Sequence, residues 1–299
     1  MNKEVNKVFF IVNKFSGAGY GPRLESNILN AGKENKVDCT LAFTEGPGHA
    51  TTLAAEAAAA GFKKIIAVGG DGTVNEVAKA LLHSPIAMGI VPKGSGNGLA
   101  RHLGIPLGVN NALKSLFNSR VIHMDTFRLN GKLSVNVSGI GFDGHIANSF
   151  GSDKKRGLQG YTRLVLNEFR NFPEFEATVT VGENQLVRKA FVIAIANSSQ
   201  YGNNAKIAPA ASVCDEVLNM SILKKIPPYR LDFIYSFFSG TVDQSAFCET
   251  FQVRETAIKL NAPVAYHIDG EPGGIADRFI VELVPASLRM LIPCSRGKF

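Results

Sequence analysis

Ile65-Ile66-Ala67-Val68-Gly69-Gly70-Asp71-Gly72-Thr73-Val74-Asn75-Glu76-Val77 is the stretch on which the fold turns. The apolar run Ile65 to Val68 reads as a strand buried on both faces, the kind found in parallel sheets. Three glycines around Asp71 make a turn whose backbone can approach a ligand closely. From Asn75 to Leu82 the spacing is helical, with Val77, Ala80 and Leu81 on one face. Strand, glycine turn and helix start together form a phosphate seat, because a helix N-terminus carries unpaired N–H groups and the positive end of a dipole. An aspartate there would repel a bare phosphate, so the task that suits Asp71 is to hold Mg²⁺. The plainer alternative is a tight turn in which Asp71 only caps the helix.

Outward from this stretch, the first hundred residues alternate strand and helix. Val8 to Val12 reads as a buried strand, followed by a glycine-rich turn from Asn13 to Pro22 and a helix to Asn35 with proline in its first turn. Val37 to Phe43 is a second strand, and Thr44 to His49 a turn into the alanine-rich helix Ala50 to Ala60, closed by Gly61. Ile86 to Val91 is a fourth strand, followed by Pro92-Lys93-Gly94-Ser95-Gly96-Asn97-Gly98-Leu99-Ala100-Arg101. The pattern implies a Rossmann-like open α/β sheet with ligands at the carboxyl ends of its strands. All four post-strand turns are rich in Gly, Ser, Thr, Asn or Asp, and their agreement weighs more than any one of them. Leu113 to Phe117 adds a helix before the unit ends near Asp125.

Beyond Asp125 the texture changes to strands bounded by Asn, Gly or Pro. They are read at 127–129, 133–137, 175–181, 186–196, 217–223, 251–260, 264–268, 279–284 and 288–292. Helical inserts are expected at about 160–172 and 229–239. The expected architecture is thus α/β plus all-β: residues 1–125 as a nucleotide-binding domain and 126–299 as an antiparallel β-sandwich domain. The extreme C-terminus has the option of returning to the first.

Composition bounds the function. The 299 residues carry a net charge of +7, which favours an anionic partner. There is no Trp and no basic stripe with interleaved aromatics, so nucleic-acid binding has no positive support. No apolar run approaches the ~20 residues that span a bilayer, and the N-terminus has no signal-peptide core; a cytoplasmic location is expected. Cys39, Cys214, Cys248 and Cys294 are scattered and are read as buried thiols rather than a disulfide or zinc framework.

A Walker phosphate loop is absent, since Lys93-Gly94-Ser95 has its residue types in the wrong order. Gly139-Ile140-Gly141-Phe142-Asp143-Gly144 fits GxGxxG but lies in the β-rich half with no clear βαβ unit, so it reads as a turn with close backbone approach. Gly69-Gly70-Asp71-Gly72-Thr73 with Asn75-Glu76, then Gly94-Ser95-Gly96-Asn97 with Ala100-Arg101, then His267-Ile268-Asp269-Gly270-Glu271 form an ordered set. This set resembles the diacylglycerol kinase catalytic-domain family, which includes bacterial lipid kinases and the sphingosine and ceramide kinases. Asn13 with Ser16-Gly17, and Thr44 with Gly48-His49-Ala50, match its two earlier turns. Asn136, Ser138, Gly139, Gly141 and Asp143 resemble a further family segment, which accounts for the GxGxxG match. The likeness runs from about Val8 to Pro293.

The resemblance implies a cleft between the two domains where ATP meets a lipid hydroxyl, with ATP and Mg²⁺ as cofactors. It implies phosphate donors at Gly70, Gly72, Thr73, Ser95 and Asn97, with Asp71 acting through Mg²⁺. Ser16 and Thr44 close the nucleotide site, Asn13 holds its own loop, and Asn75 either orders the turn or meets the nucleotide. Asp269 matches the family's general base. Glu271, two residues on, shares its face if this piece is extended, and would reach the magnesium or nucleotide side. A second, structural Mg²⁺ near Asp215 is less well matched, because Glu216 replaces a glycine of the family pattern. Lys154-Lys155-Arg156, Arg163 and Arg170 are candidates for lipid headgroups or for a solvated face, and the stretch Phe233 to Phe238 for an acyl pocket or for core. The expected substrate is diacylglycerol or a related lipid, met at the inner membrane face by peripheral contact. A sphingoid-base kinase, an NAD kinase sharing GGDGT, and a catalytically silent lipid or nucleotide binder are the alternatives. Oligomeric state stays open, a homodimer included.

Overall fold

In the computed structural model the described residues are 6–17, 19, 21–152, 167–227 and 229–297. They form two compact units, one of residues up to Asp125 together with those from Pro285 onward, the other Thr126–Val284. The chain passes from one to the other inside two strands.

The first unit runs β1 (Lys7–Asn13), α1 (Pro22–Glu34), β2 (Asp38–Thr44), α2 (His49–Ala59), β3 (Lys64–Gly69), α3 (Asp71–Leu81), β4 (Ala87–Pro92), α4 (Gly98–His102) and α5 (Val109–Phe117), and then enters β5 (Ser119–Leu129). Its sheet order is β2-β1-β3-β4, and every neighbouring pair is parallel. Residues 65–68 are fully buried, as are Phe10, Ile11 and Val12 beside them. On α3, Val74, Val77, Ala78 and Leu81 are buried at helical spacing; on α2 the buried face is Ala50, Ala54 and Ala57. Methyl-only side chains let α2 lie close to α3, where the Thr51 hydroxyl donates to the Glu76 carbonyl at 2.8 Å. The glycine turn differs from expectation. α3 starts at Asp71 rather than Asn75, with Gly70 as its N-cap, so most of GGDGT is the first turn of the helix.

The second unit contains β6 (Lys132–Ser134), β7 (Val137–Gly141), α6 (Phe142–Ser152), β8 (Phe175–Val181), β9 (Asn184–Ala190), β10 (Val192–Ala196), β11 (Gln200–Gly202), β12 (Ala205–Lys206), β13 (Leu218–Leu223), α7 (Leu231–Ser239), β14 (Cys248–Val253), β15 (Glu255–Ile268) and β16 (Glu271–Pro293). Strands β14-β13-β10-β7-β15 are neighbours in that order. β15 serves two layers: Ile258–Leu260 pairs with β8, and Tyr266–His267 pairs with β7, both antiparallel, across a register shift between Lys259 and Val264. That break bends the strand and folds one layer over the other. Between them lies a core that includes Phe127, Ile140, Val179, Ile193, Met220 and Phe279.

Several strand limits move, for physical reasons. The strand expected at 133–137 is broken, because the Val135 and Asn136 N–H groups bond a side chain instead of a sheet ladder. Residues 186–196 divide into β9 and β10, and 251–260 into β14 and β15, where the chain changes partner. The last two expected strands fuse into β16, which leaves the second unit and adds parallel to β4 at Met290–Met88 in the first. The GxGxxG segment is no turn: it is the junction of β7 and a helix, α6, that periodicity did not reveal. The cysteines are not buried as a set. Cys214 and Cys294 are exposed, and Cys39 and Cys248 are half-buried with thiols pushed up to about 11, mainly by burial. Residues 167–171 of the first expected insert are helical, while 160–166, with Lys154-Lys155-Arg156 and Arg163, lie outside the described residues. In α7, Phe233 is core, whereas Ile234 and Phe238 are exposed.

Candidate active site

The turns after β1, β2, β3 and β4 meet at the carboxyl edge of the first unit's sheet, and glycine lets them meet. A Cβ on Gly94 would lie 2.6 Å from the Gly70 Cα, and one on Gly17 would lie 2.1 Å from the Lys93 carbonyl oxygen. Both are closer than atoms can sit, so the loops pack backbone on backbone. Gly17 also has φ +59°. Hydrogen bonds pin the arrangement. The Asn13 amide donates to the Thr73 hydroxyl at 2.9 Å and accepts from the Phe15 N–H at 2.9 Å. The Ser16 hydroxyl donates to the Asn13 carbonyl at 3.0 Å. Asn97, with φ +51°, closes a ring on Gly94: its amide accepts from the Gly94 N–H at 2.9 Å and donates to the Gly94 carbonyl at 2.7 Å. Thr44 and Asn75 are buried at this edge, and Ser95 lies in the β4–α4 turn.

Two residues with no assigned role in the sequence reading hold these loops. Lys93 donates its ammonium to the Ser16 carbonyl at 2.8 Å and to the Gly19 carbonyl, and partial burial keeps it below the usual lysine range. Glu76 accepts from the Gly48 N–H at 2.8 Å and the Ala50 N–H at 3.1 Å, placing a carboxylate at the start of α2. Its position beside Asn75 in the opening stretch was the only available signal.

The start of α3 has no side-chain cap. Helix-start N–H groups without a capping side chain and closely packed glycines suit phosphate oxygens. The half-buried carboxylate of Asp71 offers the oxygen ligand that a hard cation such as Mg²⁺ takes. The residues present therefore fit Mg-ATP chemistry.

In the second unit, Asp269 and Gly270 are the two central residues of the β15–β16 hairpin, between paired Ile268 and Glu271. Their φ angles, +50° and +88°, make the tight primed turn that Asp-Gly favours. Asp269 is therefore both turn residue and buried carboxylate. It accepts from the Ser134 hydroxyl at 2.5 Å, the Val135 N–H at 2.9 Å and the Asn136 N–H at 3.0 Å. Glu271 departs from expectation. The piece is a turn and not extended chain, so Glu271 begins the next strand, exposed, and alternation does not put it on the face of Asp269. Asp215 stands elsewhere in this unit, accepting from the Val217 N–H at 3.2 Å in an exposed turn where Glu216 has φ +58°. Among the described residues no group of three His, Cys, Asp or Glu is clustered to hold a metal by itself.

The diacylglycerol kinase catalytic domain model matches residues 7–129, and the YegS C-terminal NAD kinase beta sandwich-like domain model matches residues 136–292, more than half of the chain. The chain belongs to the YegS-like branch of the diacylglycerol kinase family. A "Probable lipid kinase YegS-like" protein of Pectobacterium atrosepticum is 31% identical over 77% of this chain and 78% of its own. Another of that name from Klebsiella pneumoniae is 29% identical over 89% and 90%. A solved Bacillus anthracis structure superposes with TM-score 0.80 at 22% identity, covering 97% of this chain and 99% of that one, and supports the fold. This membership fits the two-unit architecture and the loop edge.

Proposed function

We propose that this family member transfers a phosphoryl group from ATP to a lipid hydroxyl, with diacylglycerol or a related lipid as acceptor. The observation that carries the reading is the backbone-on-backbone packing of Gly17, Gly70 and Gly94 loops beside an uncapped helix start. Phosphoryl transfer asks the protein mainly for positioning and charge neutralisation. Gly70, Gly72 and Thr73, with Ser95 and Asn97, donate to the phosphates. Ser16, Thr44 and Asn75 bound the nucleotide, and Asn13 orients Thr73. Asp71 would hold Mg²⁺, which when bound spreads the charge of the phosphate oxygens. Asp269 takes the proton of the acceptor hydroxyl as general base. Glu271 is a second carboxylate on the same hairpin, offered to the magnesium or nucleotide side. Asp215, which accepts the Val217 N–H on one carboxylate oxygen, would hold a second, structural Mg²⁺.

The lipid would be reached by peripheral contact with the membrane face; no helix among the described residues is long and apolar enough to cross a membrane. The test is incubation with labelled ATP, Mg²⁺ and a total lipid extract, with mass identification of the labelled product. A phosphorylated glycerolipid is expected. A labelled sphingoid base would move the substrate class, labelled NAD from a parallel incubation would replace the reading, and lipid binding without transfer would make the protein a silent binder. Asp269→Asn is expected to lower kcat by about 10²- to 10⁴-fold, the range of a general base, with nucleotide affinity preserved.

A further inference from the structure

The GxGxxG match that binds no dinucleotide in this reading does have a use in the second unit. Gly139 faces His267 across the β7–β15 ladder, and a Cβ on Gly139 would lie 1.8 Å from the Asp143 carboxylate. Only glycine leaves room for that carboxylate. Gly144 is equally constrained, since its Cβ would lie 2.4 Å from both the Ala265 carbonyl oxygen and the Tyr266 Cα. The first turn of α6 is therefore pressed onto β15, and the Asn148 amide fastens it by donating to the Gly144 carbonyl at 2.7 Å and the Tyr266 carbonyl at 2.9 Å.

This packing brings Asp143, at the positive end of α6, against His267, which is 3% exposed. Asp143 accepts from the Tyr201 hydroxyl at 2.8 Å, from the Gly144 N–H at 2.8 Å, and contacts His267 Nε2 at 3.3 Å. On the other side of the ring, Nδ1 accepts the Gly270 N–H at 3.1 Å. A ring nitrogen that accepts a backbone N–H carries no proton, so the proton sits on Nε2 and points at Asp143. The carboxylate thus fixes both the tautomer and the tilt of the imidazole. The imidazole in turn fixes Gly270, half of the turn that holds Asp269 at φ +50°.

The geometry points to His267 as a positioning residue for Asp269, oriented by Asp143 and Tyr201 through the Gly-x-Gly-x-x-Gly segment. This rests on the reading of Asp269 as general base. Ser134, Val135 and Asn136 set where the carboxylate points; His267 sets where the turn carrying it lies. Displacing a reacting group by an ångström costs about 100-fold in rate, which is the scale of effect open to such a residue.

The test uses the full-length protein with labelled ATP, Mg²⁺ and a total lipid extract, and measures nucleotide affinity separately by calorimetry. His267→Leu, which removes the acceptor for Gly270, is expected to lower kcat by about 10- to 100-fold while nucleotide affinity stays within about twofold. His267→Asn places an amide oxygen where Nδ1 was, and is expected to recover most of that loss. Full activity in His267→Leu, or equal impairment of both variants, would overturn the proposal. Asp269→Asn separates the two readings. If it is inactive while His267→Leu is fully active, the base stands and the positioning role falls; if it is active, both fall. Nitrogen-15 NMR of the wild-type imidazole gives a check that no folding defect can confuse: protonated Nε2 is expected, and protonated Nδ1 would refute the arrangement.

Discussion

The loop edge of the first unit and the Asp269 turn of the second solve the same problem, holding a polar group in a fixed place, by opposite means. At the loop edge glycine is required for space: Gly17 and Gly94 have another backbone where a Cβ would be. At the hairpin, Gly270 has nothing within 4 Å of its missing Cβ, and glycine is favoured there only by its φ of +88°. Crowding makes a rigid cradle out of neighbouring loops, whereas the turn owes its position to side chains from distant segments. Substitution should therefore hurt the two places unequally.

The largest effect on nucleotide binding is expected at Gly94→Ala. A methyl group 2.6 Å from the Gly70 Cα must push two backbones apart, at roughly 3 kcal/mol, the upper end of overpacking costs. If that strain is relieved by opening the cradle, nucleotide affinity falls by about 100-fold, as measured by calorimetric titration with an ATP analogue. Undiminished affinity would show that the cradle does not depend on this approach.

A pH effect of similar size belongs to the first unit. His102 ends α4, just after the Gly94–Asn97 turn, and is 5% exposed. Burial, with Arg296 adding to it, lowers its pKa to about 4 from the usual 6.5. The unfolded chain therefore binds a proton that the folded chain refuses between pH 6.5 and about 4, and stability falls as pH drops through that window. The full loss is about 3 kcal/mol. Thermal melts from pH 7 to 4 should show it, and His102→Gln should flatten the slope. An unchanged acid limb in that variant would assign the loss to other groups.

The contrast also explains what could be read in advance. The loop edge was legible because each of its parts follows its strand within a few residues: Asn13, Thr44, Gly70 and Asn97 announce themselves by type and by place. The Asp269 site was legible only as a motif. Its donors come from Ser134 to Asn136, and the support that reaches it through neighbouring His267 comes from Asp143 and Tyr201, separations that no local pattern encodes. The strand expected at 133–137 failed for the same reason, since a carboxylate more than a hundred residues away takes the N–H groups that a ladder would have used. Glu271 shares the face of Asp269 only if the chain there is extended, and a two-residue turn looks like a two-residue strand step in sequence.

Ser134→Ala tests the long-range side of the contrast. It removes the hydroxyl that donates to the Asp269 carboxylate beside the Val135 and Asn136 N–H groups. A hydrogen bond to a charged group is worth about 1.5–3 kcal/mol, and at the lower end of that range kcat should fall about tenfold while nucleotide affinity holds. A change in affinity with kcat intact would reverse the assignment of this carboxylate to the acceptor side of the reaction.

The smallest effect is expected at Gly270. Alanine would meet no atom within 4 Å there, so its cost is the left-handed backbone alone, about 1 kcal/mol. Asparagine tolerates that conformation better, so Gly270→Asn should cost less than Gly270→Ala. Neither substitution removes the N–H that His267 accepts, so both should keep most of their activity, in the order Asn above Ala. Melting temperatures and kcat measured together decide the matter. If Gly270→Ala were as damaging as Gly94→Ala, the turn would be crowded by something it must admit during turnover. The open space beside Gly270 would then be the path of the acceptor.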